Sequence, residues 1–166
     1  WMDQFTFRNL EVFSSSAGKD GVSLVECIDR CLTPMGARLL RSWLAMPIFS
    51  LQQLGDRHDV VQFFCDNDLA LSECQSLLSE VGDLERIISR AATGKILPRE
   101  VKSLSRSLRQ MAPIAQLACT SQVDALVRLG SGMKACEELI ERIERTLAES
   151  PAAMVGKGDV IAKGVD

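Results

Sequence analysis

Apolar residues recur at three- and four-residue intervals along most of this chain, which is the spacing of amphipathic helices. The clearest apolar stripe consists of Met35, Leu39, Trp43 and Met46. Thr33 precedes this stripe as a candidate capping residue, and Pro34 falls at the first helical position, where its missing N–H costs nothing. Pro47 then ends the segment. We therefore predict a short helix between these residues that is buried along its Trp-bearing face.

Loop and turn residues divide the rest of the pattern into further helices. Ser23 with Glu26, and Ser50 with Gln53, have the spacing of capping boxes. Asp83 is placed to cap another helix, which ends near a glycine. Further helical segments are predicted at residues 69–81, 98–111, 114–119, and 122–149 with an interruption near 130–132. The pattern as a whole predicts an all-α fold, a multi-helix bundle of six to eight helices.

The two ends of the chain differ from this helical middle. The first 21 residues begin with either a brief helix or an extended run, followed by a polar loop with two glycines. From Gly156 the chain is rich in glycine and has the character of a tail that leads elsewhere. We predict an opening segment over 1–21, a helical domain over 22–155 and a tail over 156–166.

Composition narrows the class of protein. With 166 residues, of which 46% are hydrophobic and 25% charged, the chain has the size and polarity of one soluble globular domain. The net charge of −3 argues against a free-standing DNA-binding module, which usually carries a basic excess. No apolar run approaches the ~18 residues of a membrane span, and the first residues lack the pattern of a signal peptide. Because the first residue is not Met, we expect a piece of a longer protein.

No catalytic, cofactor-binding or metal-binding residue is predicted. The six cysteines lack the C-x-x-C spacing of a metal site, and we expect unpaired, buried thiols in a reducing cytosol. His58, the single histidine, lies on an apolar or boundary helix face and is expected to be structural. The Gly-Lys pairs at 18–19, 94–95 and 156–157 lack the other residues of a phosphate loop. Nucleotide binding and nucleophilic catalysis by this chain alone are therefore not expected.

Basic residues follow the predicted helix 98–111 on the side away from its apolar positions. This strip consists of Arg99, Lys102, Arg106 and Arg109. A solvated face is the favoured interpretation, and weak contact with phosphates or with an acidic partner is the alternative. Aromatic residues are not interleaved with the strip, which argues against base stacking.

The order of residues in several of these segments resembles a known family. Residues 29–47 read D-x-C-x-T-x-M-G-x-R-L-L-R-x-W-L-x-x-P, and residues 83–99 read D-L-E-R-x-x-S-R-x-x-x-G-x-x-x-P-R. Two shorter stretches agree, D-x-x-T-x-R-N-L-E at 3–11 and R-x-D-x-V-x-x-F at 57–64, as does the closing G-D-V-I-A-K-G-V-D at 158–166. Together these stretches resemble the core, or lever, domain of MutS-type DNA mismatch repair proteins, also called domain III.

The resemblance implies that the chain is one part of a larger DNA-dependent ATPase. In this family, other domains read the mismatch, clamp duplex DNA, and bind ATP and Mg. The core domain connects those parts in a homodimeric protein of the bacterial cytosol and nucleoid. We therefore expect a structural and allosteric connector with no active site, cofactor or membrane contact of its own. Its expected partners are mismatched duplex DNA, reached through the other domains, and the protein's own clamp, connector and ATPase domains.

Two sets of residues in the family-like stretches are candidates for structural or coupling roles. Those expected to orient the Trp-bearing helix are Asp29, Arg38, Arg41 and Trp43. Those expected to form ion pairs between helices are Arg8 with Glu11, and Asp83, Glu85, Arg86 and Arg90. Ordinary fold-stabilising contacts are the alternative for every one of these residues.

Two other functions remain open at this point. The first is the core domain of a paralogue that acts on recombination or branched DNA in place of mismatches. The second is a helical scaffold that binds other proteins and has no role on DNA. For the chain by itself we expect no ATP hydrolysis, because it lacks a phosphate loop. We also expect at most weak, salt-sensitive binding to duplex DNA with no preference for a mismatch.

Overall fold

A computed structural model describes residues 3–152 and 158–165, and the regular structure of these residues is helical. The helices are α1 (Gln4–Asn9), α2 (Leu24–Ile28), α3 (Pro34–Ala45), α4 (Leu51–Asp66), α5 (Asp68–Ser79), α6 (Leu84–Ala92), α7 (Pro98–Arg109), α8 (Met111–Thr120), α9 (Asp124–Gly132) and α10 (Glu137–Thr146). Within the described residues, eight helices have nine residues or more, which confirms the predicted all-α fold of six to eight helices. The short α1 shows that the opening segment begins with a brief helix.

The chain folds as two compact units, unit 1 over Trp1–Gly55 and unit 2 over Asp56–Asp166. Their boundary falls within α4, and therefore inside the segment 22–155 that the sequence predicts as one helical domain. The predicted divisions after residues 21 and 155 remain predictions. Residues 156–157, where the predicted tail begins, lie outside the described part of the chain.

Unit 1 has a small core at the start of α2. The Ser23 amide and hydroxyl donate hydrogen bonds of 2.8 and 2.6 Å to the Glu26 carboxylate, and this pair confirms the predicted capping box. The Val25 amide donates to the Val12 carbonyl at 3.0 Å, and both valine side chains are buried. These contacts fasten α2 to the residues that follow α1.

The helix with the Trp-bearing stripe, α3, begins as predicted but is not buried. Thr33 Oγ1 accepts a hydrogen bond from the Gly36 amide at 3.0 Å, and Pro34 is the first helical residue. Leu39 is 51% exposed and Trp43 is 42% exposed, and no residue of α3 is buried. The prediction of burial is therefore wrong for this chain, because no other described helix of unit 1 packs closely against the stripe.

A glycine sets the distance between α8 and α9 in unit 2. A Cβ atom at Gly130 of α9 would lie 2.8 Å from the Ala115 carbonyl oxygen and 2.9 Å from Ala118 Cβ. Contacts this short are essentially never seen for real Cβ atoms, so any larger residue must push the helices apart. Ala118 and Leu126 are buried, as expected for helices in such close contact.

The interruption predicted near residues 130–132 falls later in the chain. α9 continues through Gly132, and the break covers residues 133–136 before α10 begins. Cys136 has a φ of 21° at the end of this break, at the edge of the left-handed region that favours glycine. The break therefore begins directly after the predicted residues, because Gly130 serves helix packing and the chain leaves the helix after Gly132.

α7 and α10 pack together in unit 2, and α10 contributes the buried side chains of Ile140 and Ile143. The stripe of Val101, Leu104, Leu108 and Met111 that the spacing predicts as a seam is only half-buried. By contrast, Ser105 is 0% exposed and Ser107 is 1% exposed. The most deeply buried part of α7 is therefore hydroxylic, and buried hydroxyl groups need hydrogen-bond partners.

All six cysteines are free, as predicted, but their predicted burial is wrong. Cys74 is half-buried and the other five are exposed. Cys65 and Cys119 stand near the ends of α4 and α8, and Cys136 directly precedes α10, where fewer side chains cover them. Cys27 belongs to α2, which has only five residues and buries only Val25. Helical spacing alone therefore overestimates burial at helix ends.

Candidate functional site

Polar contacts fasten α7 to three other parts of unit 2, and these contacts are the candidate site. The residues that form them are called the α7 network: Arg90, Arg99, Glu100, Ser105, Arg109 and Glu144. At the start of α7, the Glu100 carboxylate accepts hydrogen bonds of 2.9 Å from Arg90 Nε and from the Leu97 amide. Arg90 Nη2 also donates to the Lys95 carbonyl at 2.7 Å. One ion pair thus joins α6 to α7 and orders the turn between them.

Near the other end of α7, Glu144 of α10 accepts hydrogen bonds from two residues of α7. Ser105 Oγ donates to Glu144 Oε1 at 3.0 Å, and Arg109 Nε donates to the same oxygen at 2.6 Å. Arg109 Nη2 donates to the second carboxylate oxygen, so that the guanidinium grips Glu144 with two nitrogens. The hydrogen bonds from Arg109 lower the pKa of Glu144. The hydrogen bond from Ser105 and the positive charge of the nearby Lys102 also lower it. The carboxylate is therefore stabilised in its charged form.

A third contact joins the start of α7 to the segment after α10. Arg99 Nε donates to the Pro151 carbonyl at 3.0 Å, and Pro151 is buried. The residues after α10 also pair with one another, since Leu147 and Ile161 form an isolated antiparallel bridge. The Ala148 amide donates to the Val160 carbonyl at 3.0 Å, and the Ala162 amide donates to the Thr146 carbonyl at 2.9 Å. The end of α10 and the residues around Ile161 therefore form one connected piece.

The second buried serine of α7 connects to the start of α6. Ser107 Oγ accepts a hydrogen bond from the Gly82 amide at 2.9 Å and donates to the Ser103 carbonyl at 3.0 Å. Asp83, the next residue, caps α6 as predicted, because its Oδ1 accepts from the Arg86 amide at 3.2 Å. The start of α6 is thus held against the middle of α7.

Three members of the predicted basic strip, Arg99, Arg106 and Arg109, are exposed to solvent. Two of its members are engaged within unit 2, Arg99 by Pro151 and Arg109 by Glu144. Lys102 is half-buried, and Arg106 is exposed. Contact with phosphates remains a prediction for this strip.

In unit 1, two candidates of the family-like stretch, Asp29 and Arg41, lie beside the turn before α3. Asp29 Oδ1 accepts a hydrogen bond from the Cys31 amide at 3.0 Å, which lowers the pKa of Asp29, and Arg41 nearby adds to this effect. Although Cys31 is exposed as a residue, partial desolvation of its thiol and the neighbouring Asp29 raise the pKa of that thiol. Arg38 is exposed and Trp43 is 42% exposed. The turn is therefore ordered by Asp29, and the orienting role of the other candidates remains a prediction.

The remaining candidates belong to α1, to the residues directly after it, and to α6. The Glu11 carboxylate accepts a hydrogen bond from the Ser16 amide at 2.8 Å and hydrogen bonds from the Ser15 and Ser16 hydroxyls, which orders the loop after α1. Arg8 is exposed on α1, and Glu85 and Arg86 are exposed on α6. Arg90 of the predicted ion-pair set joins two helices, α6 and α7, through its ion pair with Glu100.

The described residues contain no group of three or more His, Cys, Asp or Glu side chains arranged to hold a metal ion. No described helix combines the length and apolar character needed to cross a membrane. His58, expected to be structural on a boundary face, is exposed on α4.

Comparison with known proteins identifies the family. A family description, MutS domain III, matches residues 5–163. The chain belongs to the MutS domain III family. The predicted family resemblance is thereby confirmed over nearly the whole chain.

Individual relatives agree with this assignment. The chain is 39% identical over 165 residues to the DNA mismatch repair protein MutS of Flavobacterium psychrophilum, which covers 99% of the chain and 19% of that protein. It is 40% identical over 164 residues to the MutS protein of Christiangramia forsetii, with 99% and 19% covered. It is 40% identical over 166 residues to that of Flavobacterium johnsoniae, with 100% and 19% covered. The chain spans about a fifth of the length of the curated relatives it matches.

In this MutS domain III, sequence reasoning missed half of the α7 network. Glu100 had a local signal, because it stands three residues after Leu97 and two after the helix-starting Pro98, the position from which a carboxylate caps a helix. Ser105 and Glu144 had none. Their contact joins residues 39 positions apart, and a single sequence does not show which distant residues meet.

Proposed function

We propose that this MutS domain III is a rigid helical connector within a DNA mismatch repair protein. It carries a coupling free energy between the part of the protein that holds mismatched duplex DNA and the part that binds ATP and Mg. The observation that supports this proposal is the α7 network, which ties α6, α7, α10 and the following residues into one body. A connector of this kind must resist deformation, because a soft element absorbs the displacement that it should transmit.

The finer parts of the proposal follow from the same role. The chain itself catalyses nothing, and ATP hydrolysis and mismatch reading belong to other parts of the protein. Its direct partners are the clamp, connector and ATPase domains of the same polypeptide, in a homodimer in the bacterial cytosol. Support comes from the relatives' name, DNA mismatch repair protein MutS, and from the fact that the chain covers about a fifth of their length.

A chimera tests the proposal in a whole protein. The chain replaces the matching fifth of the Flavobacterium johnsoniae MutS, which aligns with all of its residues. In cells that lack MutS, we expect the chimera to lower the mutation frequency. In purified form, it should bind a mismatched duplex in the absence of nucleotide and release it when ATP is added.

Two matched variants of the chimera address rigidity. Gly130→Val forces α8 and α9 apart, because even a Cβ atom comes within 2.8 Å of the Ala115 carbonyl oxygen. Gly132→Ala is the control, since nothing lies within 4 Å of its Cβ position. We expect Gly130→Val to reduce ATP-driven release and Gly132→Ala to leave it unchanged. A folded Gly130→Val chimera that releases DNA as well as the unmodified chimera does would contradict a connector role.

A further inference from the structure

We infer that Glu144 is the positioning residue for the C-terminal segment of the domain, defined here as residues 147–152 and 158–165. Glu144 accepts its hydrogen bonds from α7, at Ser105 and Arg109. It acts through α10, which it holds against α7, and the last turn of α10 in turn holds the segment through the hydrogen bond from the Ala162 amide to the Thr146 carbonyl. The role of this contact in coupling rests on the proposed function, whereas its role in positioning the segment does not.

The first reason is the geometry of the carboxylate. Both oxygens of Glu144 are used, and the donors are two side chains one helical turn apart on α7, Ser105 and Arg109. Ser105 is 0% exposed, so its hydroxyl has no access to water as an alternative partner. A carboxylate held from two positions along one helix fixes both the rotation and the longitudinal register of α10 on α7.

The second reason is that apolar packing between these two helices is incomplete. An open groove of about 400 Å³ lies between them, lined by side chains that include Val101, Leu139 and Ile143. Only Ile140 and Ile143 of α10 are buried among the described residues of this helix. Since non-directional apolar contact with a void beside it tolerates small shifts, the directional contacts to Glu144 must set the register.

The third reason is that the hydrogen bonds that join the described residues of the C-terminal segment to helices lead to α10 and to α7. The segment is joined to α10 by the Leu147 amide, which donates to the Ile143 carbonyl at 2.9 Å, and by the Ala162 amide, which donates to the Thr146 carbonyl at 2.9 Å. Its buried Pro151 receives Arg99 from the first turn of α7. Displacing α10 along α7 would therefore move the anchor at Leu147 relative to the anchor at Pro151. The segment would then no longer have a single orientation.

Distance measurement between spin labels tests this inference in the full chain. Labels are introduced as unnatural amino acids at two exposed residues, Arg106 on α7 and Lys163 in the C-terminal segment, so that the native cysteines stay in place. We expect one narrow distance distribution for the unmodified chain. Glu144→Gln keeps an acceptor for Ser105 and loses the charge that Arg109 grips, and we expect a distribution about twofold wider.

Matched variants distinguish a displaced C-terminal segment from a general loss of stability. Glu141→Gln removes the same charge from an exposed position of α10 and should leave the distribution narrow. The double exchange Arg109→Glu with Glu144→Arg restores opposite charges across the two helices and should narrow it again. If Glu144→Gln loses its helical circular dichroism, Arg109→Gln, which keeps the Ser105–Glu144 hydrogen bond, serves as the test variant. Unchanged width in the folded test variants would overturn the inference.

The chimera described above then tests the link to coupling. With Glu144→Gln, we expect mismatched DNA to bind without nucleotide as before and ATP-driven release to fall. A widened distance with normal release would overturn the role of Glu144 in coupling while the positioning role stands. Failure of the unmodified chimera to release DNA would count against the proposed function, and the distance result on the chain would be independent of it.

Discussion

α3 and α10 have similar amphipathic patterns but very different environments. α10 buries Ile140 and Ile143, whereas α3 buries none of its residues. α10 lies against α7 within unit 2, and no described helix of unit 1 packs closely against the stripe of α3. The comparison teaches that an apolar stripe predicts a helix, whereas burial of that stripe depends on whether a partner surface belongs to the same unit.

Replacement of Ile140 by Ala should produce the largest effect on unit 2. Ile140 is 8% exposed, and truncation of a buried isoleucine costs about 3 kcal/mol of unfolding free energy through lost apolar burial and the cavity left behind. Urea denaturation followed by circular dichroism measures the change. Leu139→Ala in the same helix is the control, because Leu139 is 44% exposed. Equal effects of the two variants would contradict the packing of α10 on α7.

Replacement of Gly130 by Ala should have the next largest effect. The added methyl group must displace α8 from α9, which we expect to cost about 2 kcal/mol of unfolding free energy. The control is Gly132→Ala, which adds the same atom to the same helix where nothing lies within 4 Å. The same denaturation experiment compares them. A neutral Gly130→Ala variant would show that the two helices do not approach as closely as described.

Loss of the cap of α3 should destabilise the helix more than truncation of a side chain in its apolar stripe. Thr33→Ala removes the acceptor of the Gly36 amide and should destabilise the helix by about 1 kcal/mol. Both tryptophans of the chain belong to unit 1, so Trp fluorescence during denaturation reports on this unit. Thr33→Ser, which keeps the hydroxyl, should behave as the unmodified chain does. If Ser and Ala at this position are equivalent, the hydroxyl contributes nothing to the helix.

Leu39→Ala should change stability by less than about 0.5 kcal/mol, because a half-exposed side chain loses little burial on truncation. The same fluorescence-monitored denaturation measures it. This variant is the direct counterpart of Ile140→Ala, since both remove a branched aliphatic side chain from an amphipathic helix. A loss comparable to that of Ile140→Ala would show that α3 is packed after all.

The pH dependence of the Glu144 contact should be the smallest and most specific effect. Its folded-state pKa is lowered below the ordinary 4.5, mainly by hydrogen bonds from Arg109. The stabilisation is therefore fully present above the unfolded-state pKa and is lost as the pH falls through the lowered folded-state value. Denaturation at several pH values should show Glu144→Gln less stable than the unmodified chain at neutral pH and the two converging under acidic conditions. A difference that grows on acidification would have the wrong sign.

Local features of the fold were predictable from sequence. The caps at Ser23, Thr33 and Asp83 and the start of α7 at Pro98 follow from residues within one helical turn of each other. The family also followed from residue order, because several specific stretches recur together along the chain.

Contacts over long sequence distances were not predictable. The Arg109–Glu144 pair joins residues 35 positions apart, and nothing in either helix by itself distinguishes Glu144 from the exposed Glu141. Gly130 illustrates the same limit: a glycine that permits close helix packing has the same sequence signature as one that breaks a helix. The buried serines of α7 were missed because a hydroxyl is assigned to a polar face unless its partner is known.

Hydrogen exchange of the full chain tests the difference between the two regions most directly. The account predicts that amides in α7 and α10 exchange about a hundredfold more slowly than those in α3, because only the former are held by buried contacts and by the α7 network. Mass spectrometry with peptide resolution separates these helices. Equal protection of α3 and α10 in the isolated chain would contradict the account.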